Sequence, residues 1–209
     1  MQRIYKILPK YAFLPLIICL GLNAFTYFGT RLFTTGLYHY DLSLPIDHMI
    51  PFTPFMMSVY VLAYVVWIVG FIVIGRESRE VCYEVLTAEQ IAKLCCLVAF
   101  IAIPTTIIRP EVTGTGFFQW LSRLIYSMDS PDNLLPSVHC LENWICFRGA
   151  MKCKKVGKGY KIFMFVAAIL VFASTLMVKQ HVVGLFLSRR FNLSKIYFII
   201  EDRLFKKTN

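Results

Sequence analysis

Three short polar clusters lie at the ends of long apolar runs in this sequence, and their residue types suit the handling of a phosphate group. They occupy residues 104–110, 132–139 and 174–181. Phosphoryl transfer requires positioning and cationic charge against the negative oxygens. Arg109 offers a planar, permanently charged fork that can hold two phosphate oxygens. Ser137 and the backbone amides after it would add donors where a helix begins.

Each candidate residue also has an ordinary structural interpretation. Arg109 or Lys179, at the edge of a membrane, can extend its charge toward lipid headgroups. A lone histidine such as His139 or His181 is more often a surface or cap residue at a helix end. Ser137 can simply cap a helix. The chemical interpretation becomes specific only because the clusters occur together and in order.

The elements that must position these clusters are membrane helices. The 209 residues are 57% hydrophobic and 16% charged, against about 45–50% and about 25% in ordinary soluble domains. The formal charge of +10 is concentrated between the apolar runs, where bases orient a membrane protein. Aromatic residues lie inside those runs and are not interleaved with Lys and Arg as in a single-strand binder. We therefore expect membrane lipids as surroundings and no nucleic-acid partner.

The apolar runs predict an all-α, polytopic transmembrane bundle that forms one domain. A spanning helix needs about 20 mostly apolar residues. The predicted spans are residues 11–33, 49–75, 87–108, 134–151 and 161–179. The fourth is interrupted by Glu142 and Arg148. A sixth apolar run at 182–187 covers only about 9 Å at helical rise, and a basic tail at 188–209 follows it.

Short loops rich in Lys and Arg predict which side of the membrane each loop faces. The first ten residues and residues 148–161 carry bases without acids, so both are expected in the cytoplasm. Residues 31–48 and 109–132 carry few bases and several acids, so both are expected outside. Five alternating spans satisfy these assignments and place all three polar clusters on the outer face.

Read in order, the three clusters resemble the signature motifs of the type 2 phosphatidic acid phosphatase superfamily. Those motifs are an Arg-Pro, then Pro-Ser-x-His, then Ser-x6-His. Here they read Arg109-Pro110, Pro136-Ser137-Val138-His139 and Ser174 to His181. The Pro-Thr-Thr-x-x-Arg-Pro and Lys-Gln-His wording is similar to bacterial members of the branch related to inositol phosphorylceramide and sphingomyelin synthases. The resemblance covers roughly residues 94–181.

This resemblance implies an enzyme that acts on a lipid phosphate or phospholipid without a metal or other cofactor. The residue matching the family's nucleophile is His181, which would form a phosphohistidine. His139 would protonate the leaving alkoxide as general acid. The implied phosphate-binding residues are Arg109, Ser137, Ser174 and Lys179. Water as acceptor gives a phosphatase and a lipid hydroxyl gives a headgroup phosphotransferase, and both stay open. The expected location is a bacterial plasma membrane, with the active site facing outward.

Three positions depart from the family pattern. Ala102 stands where the first motif has a Lys, and Thr175 stands where the third has an Arg. Leu185 replaces the Asp that orients the nucleophilic histidine and stabilises its charged form. Together with the short sixth run, this last change predicts little or no turnover.

Two functions of other kinds compete with the enzyme. Leu185 and the short sixth run favour a non-catalytic membrane protein that keeps the fold as a lipid-binding or partner module. A transporter is less favoured, because no predicted span shows paired intramembrane charges or a repeat. The seven cysteines include no CxxC and predict neither a disulfide framework nor a zinc site.

Overall fold

A computed structural model describes residues 8–134 and 136–183 of the chain. The elements of this part, in chain order, are α1 (Lys10–Ala24), a π-helical turn (Phe25–Gly29), α2 (Arg31–Thr34), β1 (Tyr40–Asp41), α3 (Pro45–Met49), α4 (Met56–Glu77), α5 (Arg79–Ala102), β2 (Thr105–Thr106), α6 (Phe117–Met128), α7 (Val138–Lys152) and α8 (Lys158–Met177). The predicted all-α class is confirmed apart from the two short strands. Four helical segments are long and apolar enough to cross a membrane: Lys10–Thr34, Met56–Glu77, Arg79–Ala102 and Lys158–Met177. They are compatible with an integral membrane protein.

The first of these candidate spans combines α1, the π-helical turn and α2 into 25 residues. Buried threonine hydroxyls satisfy backbone carbonyls where the helix widens: Thr30 Oγ1 donates to the Thr26 carbonyl at 3.1 Å and Thr34 Oγ1 to the Thr30 carbonyl at 3.2 Å. Such single-turn π segments occur often at functional sites. Here the turn presents Tyr27 to the polar end of the bundle, as described below.

The predicted boundaries of the second and third spans are wrong by several residues. Helix α4 begins at Met56 and not at residue 49, because Pro51 and Pro54 disfavour helix in the residues before them. Helix α5 begins at Arg79, eight residues before the predicted start. Its first turn is capped by Ser78, whose Oγ accepts from the Val81 amide at 3.1 Å.

Helix α5 also ends earlier than predicted, at Ala102 and not at residue 108. The next segment forms β2, which pairs in parallel with β1 through Thr105 opposite Tyr40. The Tyr40 amide donates to the Pro104 carbonyl at 2.9 Å. A Pro cannot donate the amide that a continuing helix needs. The pairing ties the loop after the first span to the end of the third, beside the candidate site.

The predicted fourth span is a short, enclosed helix and not a lipid-facing one. Helix α7 has 15 residues, which is about 22 Å at helical rise and less than a hydrocarbon core of about 30 Å. It packs against α8, α4 and α5. Gly70 of α4 and Gly149 of α7 permit the close approach, because a Cβ at either would lie under 3.0 Å from Cys146 and Ile74 respectively.

Helix α6, in the predicted outer loop 109–132, was missed by the sequence analysis. It is amphipathic, with its apolar side chains partly against α4 and partly exposed. Phe118 meets Phe55 edge to face at 5.1 Å between ring centroids, whereas Phe117, Trp120 and Met128 are exposed. A short helix of this kind suits a position along the membrane interface.

The expectation that no span holds paired charges is wrong. Lys93 of α5 is fully buried and forms an ion pair with Glu89 one turn earlier, at 3.5 Å. The same ammonium group donates a hydrogen bond to Glu142 of α7 and another to Asn23 of α1. We call Glu89, Lys93 and Glu142 the buried ion cluster. It lies between helices whose other core residues are almost all apolar.

Candidate functional site

Two of the three polar clusters meet at a cavity of about 330 Å³, which we call the histidine cavity. His139, at the start of α7, and His181, just after α8, both line it. Other residues that line it include Tyr60 of α4, Asp129 after α6, and Gln180. His139 and His181 are close enough to interact electrostatically. The structure thus brings together two histidines that are 42 residues apart in sequence.

His181 is held by the turn that ends α8. Lys179 adopts a left-handed backbone conformation (φ 52°), and the Gln180 and His181 amides donate back to the Thr175 carbonyl at 2.9 and 3.1 Å. The His181 ring is buried, and its Nδ1 lies 2.8 Å from the Leu134 carbonyl oxygen. Since a carbonyl only accepts, Nδ1 carries the hydrogen, and the lone pair of the neutral ring is on Nε2.

The protonation state of His181 suits the role of a nucleophile. Burial, opposed by the hydrogen bond to Leu134 and helped by the positive charge of Arg109, lowers its pKa to about 4. The ring is therefore neutral at neutral pH. A neutral imidazole with a fixed tautomer keeps the Nε2 lone pair available for attack on an electrophile.

His139 is held by aromatic rings. It stacks on Tyr60 with ring centroids 4.2 Å apart, and Tyr64 meets it edge-on at 4.9 Å. Its Nδ1 lies 3.3 Å from the Tyr60 hydroxyl oxygen. Its Nε2 is buried without a hydrogen-bond partner among the described residues. A buried polar atom of this kind in a cavity wall is a place for a ligand or water to bind.

The side chains of the two serines named from the sequence form hydrogen bonds with the backbones of helices. Ser137 caps α7, accepting a hydrogen bond from the Cys140 amide at 3.3 Å. Ser174 is fully buried and donates to the Val171 carbonyl at 2.8 Å. Neither lines the histidine cavity in the part of the chain that the structure describes. Their visible role is to fix the helix ends that carry His139 and His181.

Arg109 is not among the residues that line this cavity, but it binds two that are, Asp129 and Gln180, and only its Nε lacks a hydrogen-bond partner among the described residues. Its guanidinium donates to the Asp129 carbonyl oxygen, to the Asp129 carboxylate at 3.3 Å and to the Gln180 side-chain oxygen. It also stacks over Tyr126 at 4.6 Å. Its side chain is 9% exposed, so any anion must reach it through these partners.

Lys179 points away from the cavity. Its Nζ donates to the Asp47 and Ile50 carbonyls, both at 2.6 Å. These carbonyls belong to the segment between α2 and α4, so the lysine ties that segment to the turn that carries His181. A phosphate role for Lys179 would require it to leave both partners.

A second layer of charge around Arg109 was not singled out by the sequence analysis. Asp129 accepts a hydrogen bond from Tyr27 of the π-helical turn, and Arg31 binds Asp132 at 3.2 Å. Burial and then the nearby Asp132 raise the pKa of Asp129 to about 7, against the Gln180 amide, even with Arg109 at 3.3 Å. The sequence signal was weak, because Asp132 reads as an ordinary turn residue.

Of the three positions that depart from the family pattern, the structure describes Thr175 and Ala102 but not Leu185. Thr175 is buried and donates to the Phe172 carbonyl at 2.9 Å, where the family's Arg would reach into a site. Ala102 is the last residue of α5. Leu185, most of the short apolar run 182–187 and the basic tail lie outside the described residues. The Leu134 carbonyl accepts the hydrogen bond from His181 Nδ1, which is the contact that the resemblance assigns to the carboxylate missing from this chain.

A comparison with protein-family models, curated proteins and solved structures gave no match to this chain. Within residues 8–134 and 136–183, no group of three or more His, Cys, Asp or Glu is arranged to hold a metal ion.

Proposed function

We propose that this chain is a membrane lipid phosphatase or lipid headgroup phosphotransferase of the type 2 phosphatidic acid phosphatase kind. The observation that carries the proposal is the state of His181. Its Nδ1 is held by the Leu134 carbonyl, its ring is neutral, and it shares a cavity with His139. A fixed nucleophile beside a second histidine is the minimum for nucleophilic transfer of a phosphoryl group.

In the proposed reaction, His181 Nε2 attacks phosphorus and the bond from phosphorus to the lipid oxygen breaks. His139 takes up a proton when the phosphate anion binds and gives it from Nε2 to the leaving alkoxide. The neutral His139 then removes a proton from a water molecule or a lipid hydroxyl, whose oxygen attacks the phosphohistidine. The bond from His181 to phosphorus breaks, and both histidines return to their starting states. Arg109 faces the phosphate charge throughout.

The proposal includes the number of membrane spans and their orientation. Five spans, with α7 as the enclosed fourth, and a short sixth apolar run would place the histidine cavity at the outer face of a bacterial plasma membrane. The loop between α7 and α8, together with the first residue of α8, carries Lys154, Lys155 and Lys158 without an acid, which favours the cytoplasm.

We expect cysteine labelling in intact cells to report this orientation. Ser130→Cys, in the exposed turn after α6, should react with a membrane-impermeant maleimide. Lys154→Cys, also exposed, should react only after the cells are permeabilised. The unmodified chain is the control, since its cysteines are buried except for the half-buried Cys95. The reverse pattern would contradict the orientation.

The charges around the cavity predict that phosphate binding is linked to protonation of Asp129. Arg31 and Arg109 are matched by Asp129 and Asp132, so the site has no net positive charge while both carboxylates are ionised. The raised pKa of Asp129, about 7, means that it is protonated below that pH and ionised above it. A bound phosphate anion can therefore interact with the full charge of Arg109 only below that pH, where Asp129 no longer competes for it.

Asp129→Asn should bind inorganic phosphate or vanadate about tenfold more tightly than the unmodified chain at about pH 8, where about one Asp129 in ten is protonated. At about pH 6 the two proteins should bind nearly equally, because Asp129 is then mostly protonated. Calorimetric titration at both pH values, compared as a ratio so that ionisation of the ligand cancels, measures this. The exposed Glu111→Gln is the matched control. Equal affinities at both pH values would refute the linkage.

One observation favours the non-catalytic alternative. Arg109 is already bound by Asp129 and Gln180, and Lys179 by two loop carbonyls, so the described site offers no unengaged cation. A lipid-binding or partner module would need none. The two functions are separated by a product screen on the purified chain.

The screen offers phosphatidate, a prenyl diphosphate and a phospholipid donor, each with and without a ceramide-type hydroxyl acceptor. Phosphate release or headgroup transfer that is lost in His139→Asn and His181→Asn supports the enzyme. Binding of these lipids without any product would support the module.

A further inference from the structure

The buried ion cluster holds more negative than positive charge. Lys93 contributes one positive charge, and Glu89 and Glu142 contribute two negative charges when ionised. All three side chains are between 0% and 3% exposed. An uncompensated charge in a low-dielectric interior is strongly unfavourable, so the site favours one further positive charge.

The other titratable groups facing the cluster do not supply that charge. They come from each helix that packs around it and are Cys19 of α1, Tyr64 of α4, Cys96 of α5, and His139 and Cys146 of α7. Thiols and phenols are neutral at neutral pH in unperturbed form, and burial disfavours their ionisation further. Burial equally disfavours the cationic form of the enclosed His139 ring while no anion is bound. Asn23 and Gln90 are polar but uncharged. The excess of one negative charge therefore remains with the two carboxyl groups.

Glu142 offers an open acceptor. One of its oxygens takes the hydrogen bond from Lys93, while its Oε2 is buried without a hydrogen-bond partner among the described residues. The carboxyl group lines the histidine cavity one helical turn beyond His139, on the same face of α7. Glu142 therefore lies directly at the cavity that holds both histidines.

Glu142 also faces a second cavity, of about 310 Å³, which we call the apolar cavity. It lies between α1 and α4 and is lined almost entirely by apolar side chains such as Leu16, Ile68 and Phe71. The two cavities share Leu20, Asn23, Trp67 and Glu142. The apolar walls are a poor route for a hydrated ion, which leaves the histidine cavity as the polar approach to the cluster.

We propose that Glu89, Lys93 and Glu142 form an intramembrane proton-binding site that takes up one proton and exchanges it through the histidine cavity. The proton resides on a carboxyl group of Glu142 or Glu89, and the cluster is then electrically neutral. The site does not require lipid phosphatase activity, since it depends only on the charges and cavities around α5 and α7.

Infrared difference spectroscopy between about pH 6 and about pH 9 tests this directly on a purified Asp129→Asn chain, in which each further variant is also made. This background is needed because the pKa of Asp129 is itself raised to about 7, so its carboxyl group would add a band of its own. The carbonyl-stretching band of a protonated carboxyl group should appear at the acid end, shift in D₂O, and vanish in Glu142→Gln and in Glu89→Gln. Either variant leaves one Lys and one Glu, a neutral pair, so both should fold. Glu84→Gln, which removes a half-buried partner of Lys152, is the matched control and should leave the band unchanged.

Three results would overturn the proposal. The first is a spectrum of the Asp129→Asn chain without any protonated-carboxyl band across the whole pH range. The second is a band that survives in both glutamine variants, which would assign the proton elsewhere. The third is a band that disappears whenever Na⁺ or K⁺ replaces a bulky organic cation, which would show that a metal cation supplies the charge. Retention of the band in either salt supports the proton.

Discussion

Replacing His181 by asparagine should abolish formation of a covalent phosphoprotein. The unmodified chain, mixed with a lipid labelled in its phosphate, is expected to acquire a label that is stable in base and released in acid, as a phosphoramidate is. Asparagine keeps a polar side chain of similar width but has no ring nitrogen to attack phosphorus. Removing a nucleophile that works as part of a unit lowers kcat by about 10⁶ in a serine protease, which gives the scale of the effect.

The matched control is His39→Asn. His39 lies in the exposed segment between α2 and β1, where its Nδ1 is 2.9 Å from the Leu37 carbonyl oxygen. It therefore resembles His181 in its backbone contact but does not line the histidine cavity. Labelling should be unchanged in this variant. A label that persists in His181→Asn, or one that is lost equally in both variants, would show that His181 is not the nucleophile.

Trapping the intermediate is a better test than steady turnover, because we expect turnover to be slow. The Leu134 carbonyl orients the His181 ring at 2.8 Å, as a carboxylate would. It carries only a partial negative charge, so it stabilises the cationic ring formed on phosphorylation less well. In a serine protease, replacing the orienting Asp lowers kcat by about 10⁴. The phosphohistidine should form even where its hydrolysis is hard to follow.

The helical class could be predicted from the sequence, but the helix ends could not. Long uncharged runs have few alternatives to spanning helices, because unpaired backbone groups are unfavourable in lipid. The helix ends depend on capping residues and prolines, which hydrophobic composition does not take into account. Ser78 starts α5 well before its apolar run, and Pro104 forces the chain out of helix before Thr105 pairs with Tyr40.

The site was only partly predictable, for a different reason. Arg109, His139 and His181 carry side-chain types that stand out in a sequence. The group that holds His181 is a backbone carbonyl, which every residue has, so nothing marks Leu134 beforehand. The pairing of Lys93 with Glu142 joins positions 49 residues apart on two helices, and only packing of α5 against α7 reveals it.

The contribution of this ion pair to the free energy of unfolding can be measured with the variant Lys93→Met. Methionine has a similar length and fills the space without charge, which leaves Glu89 and Glu142 facing each other in an apolar interior. Removing one partner of a buried ion pair typically lowers the free energy of unfolding by about 3–5 kcal/mol. We expect a loss of that size in detergent at about pH 8, where solvent-exposed carboxyl groups are ionised. Denaturant unfolding followed by tryptophan fluorescence measures it.

The loss should be reversible by removing the stranded charges. Lys93→Met combined with Glu89→Gln and Glu142→Gln leaves three neutral side chains, and it should recover most of the stability. Lys152→Met is the matched control, since Lys152 pairs with Glu84 where both side chains are about a quarter exposed. An ion pair that reaches water contributes about 0–1 kcal/mol, so this change should be small. If Lys93→Met unfolds at the same denaturant concentration as Lys152→Met, the buried ion cluster does not hold α5 and α7 together.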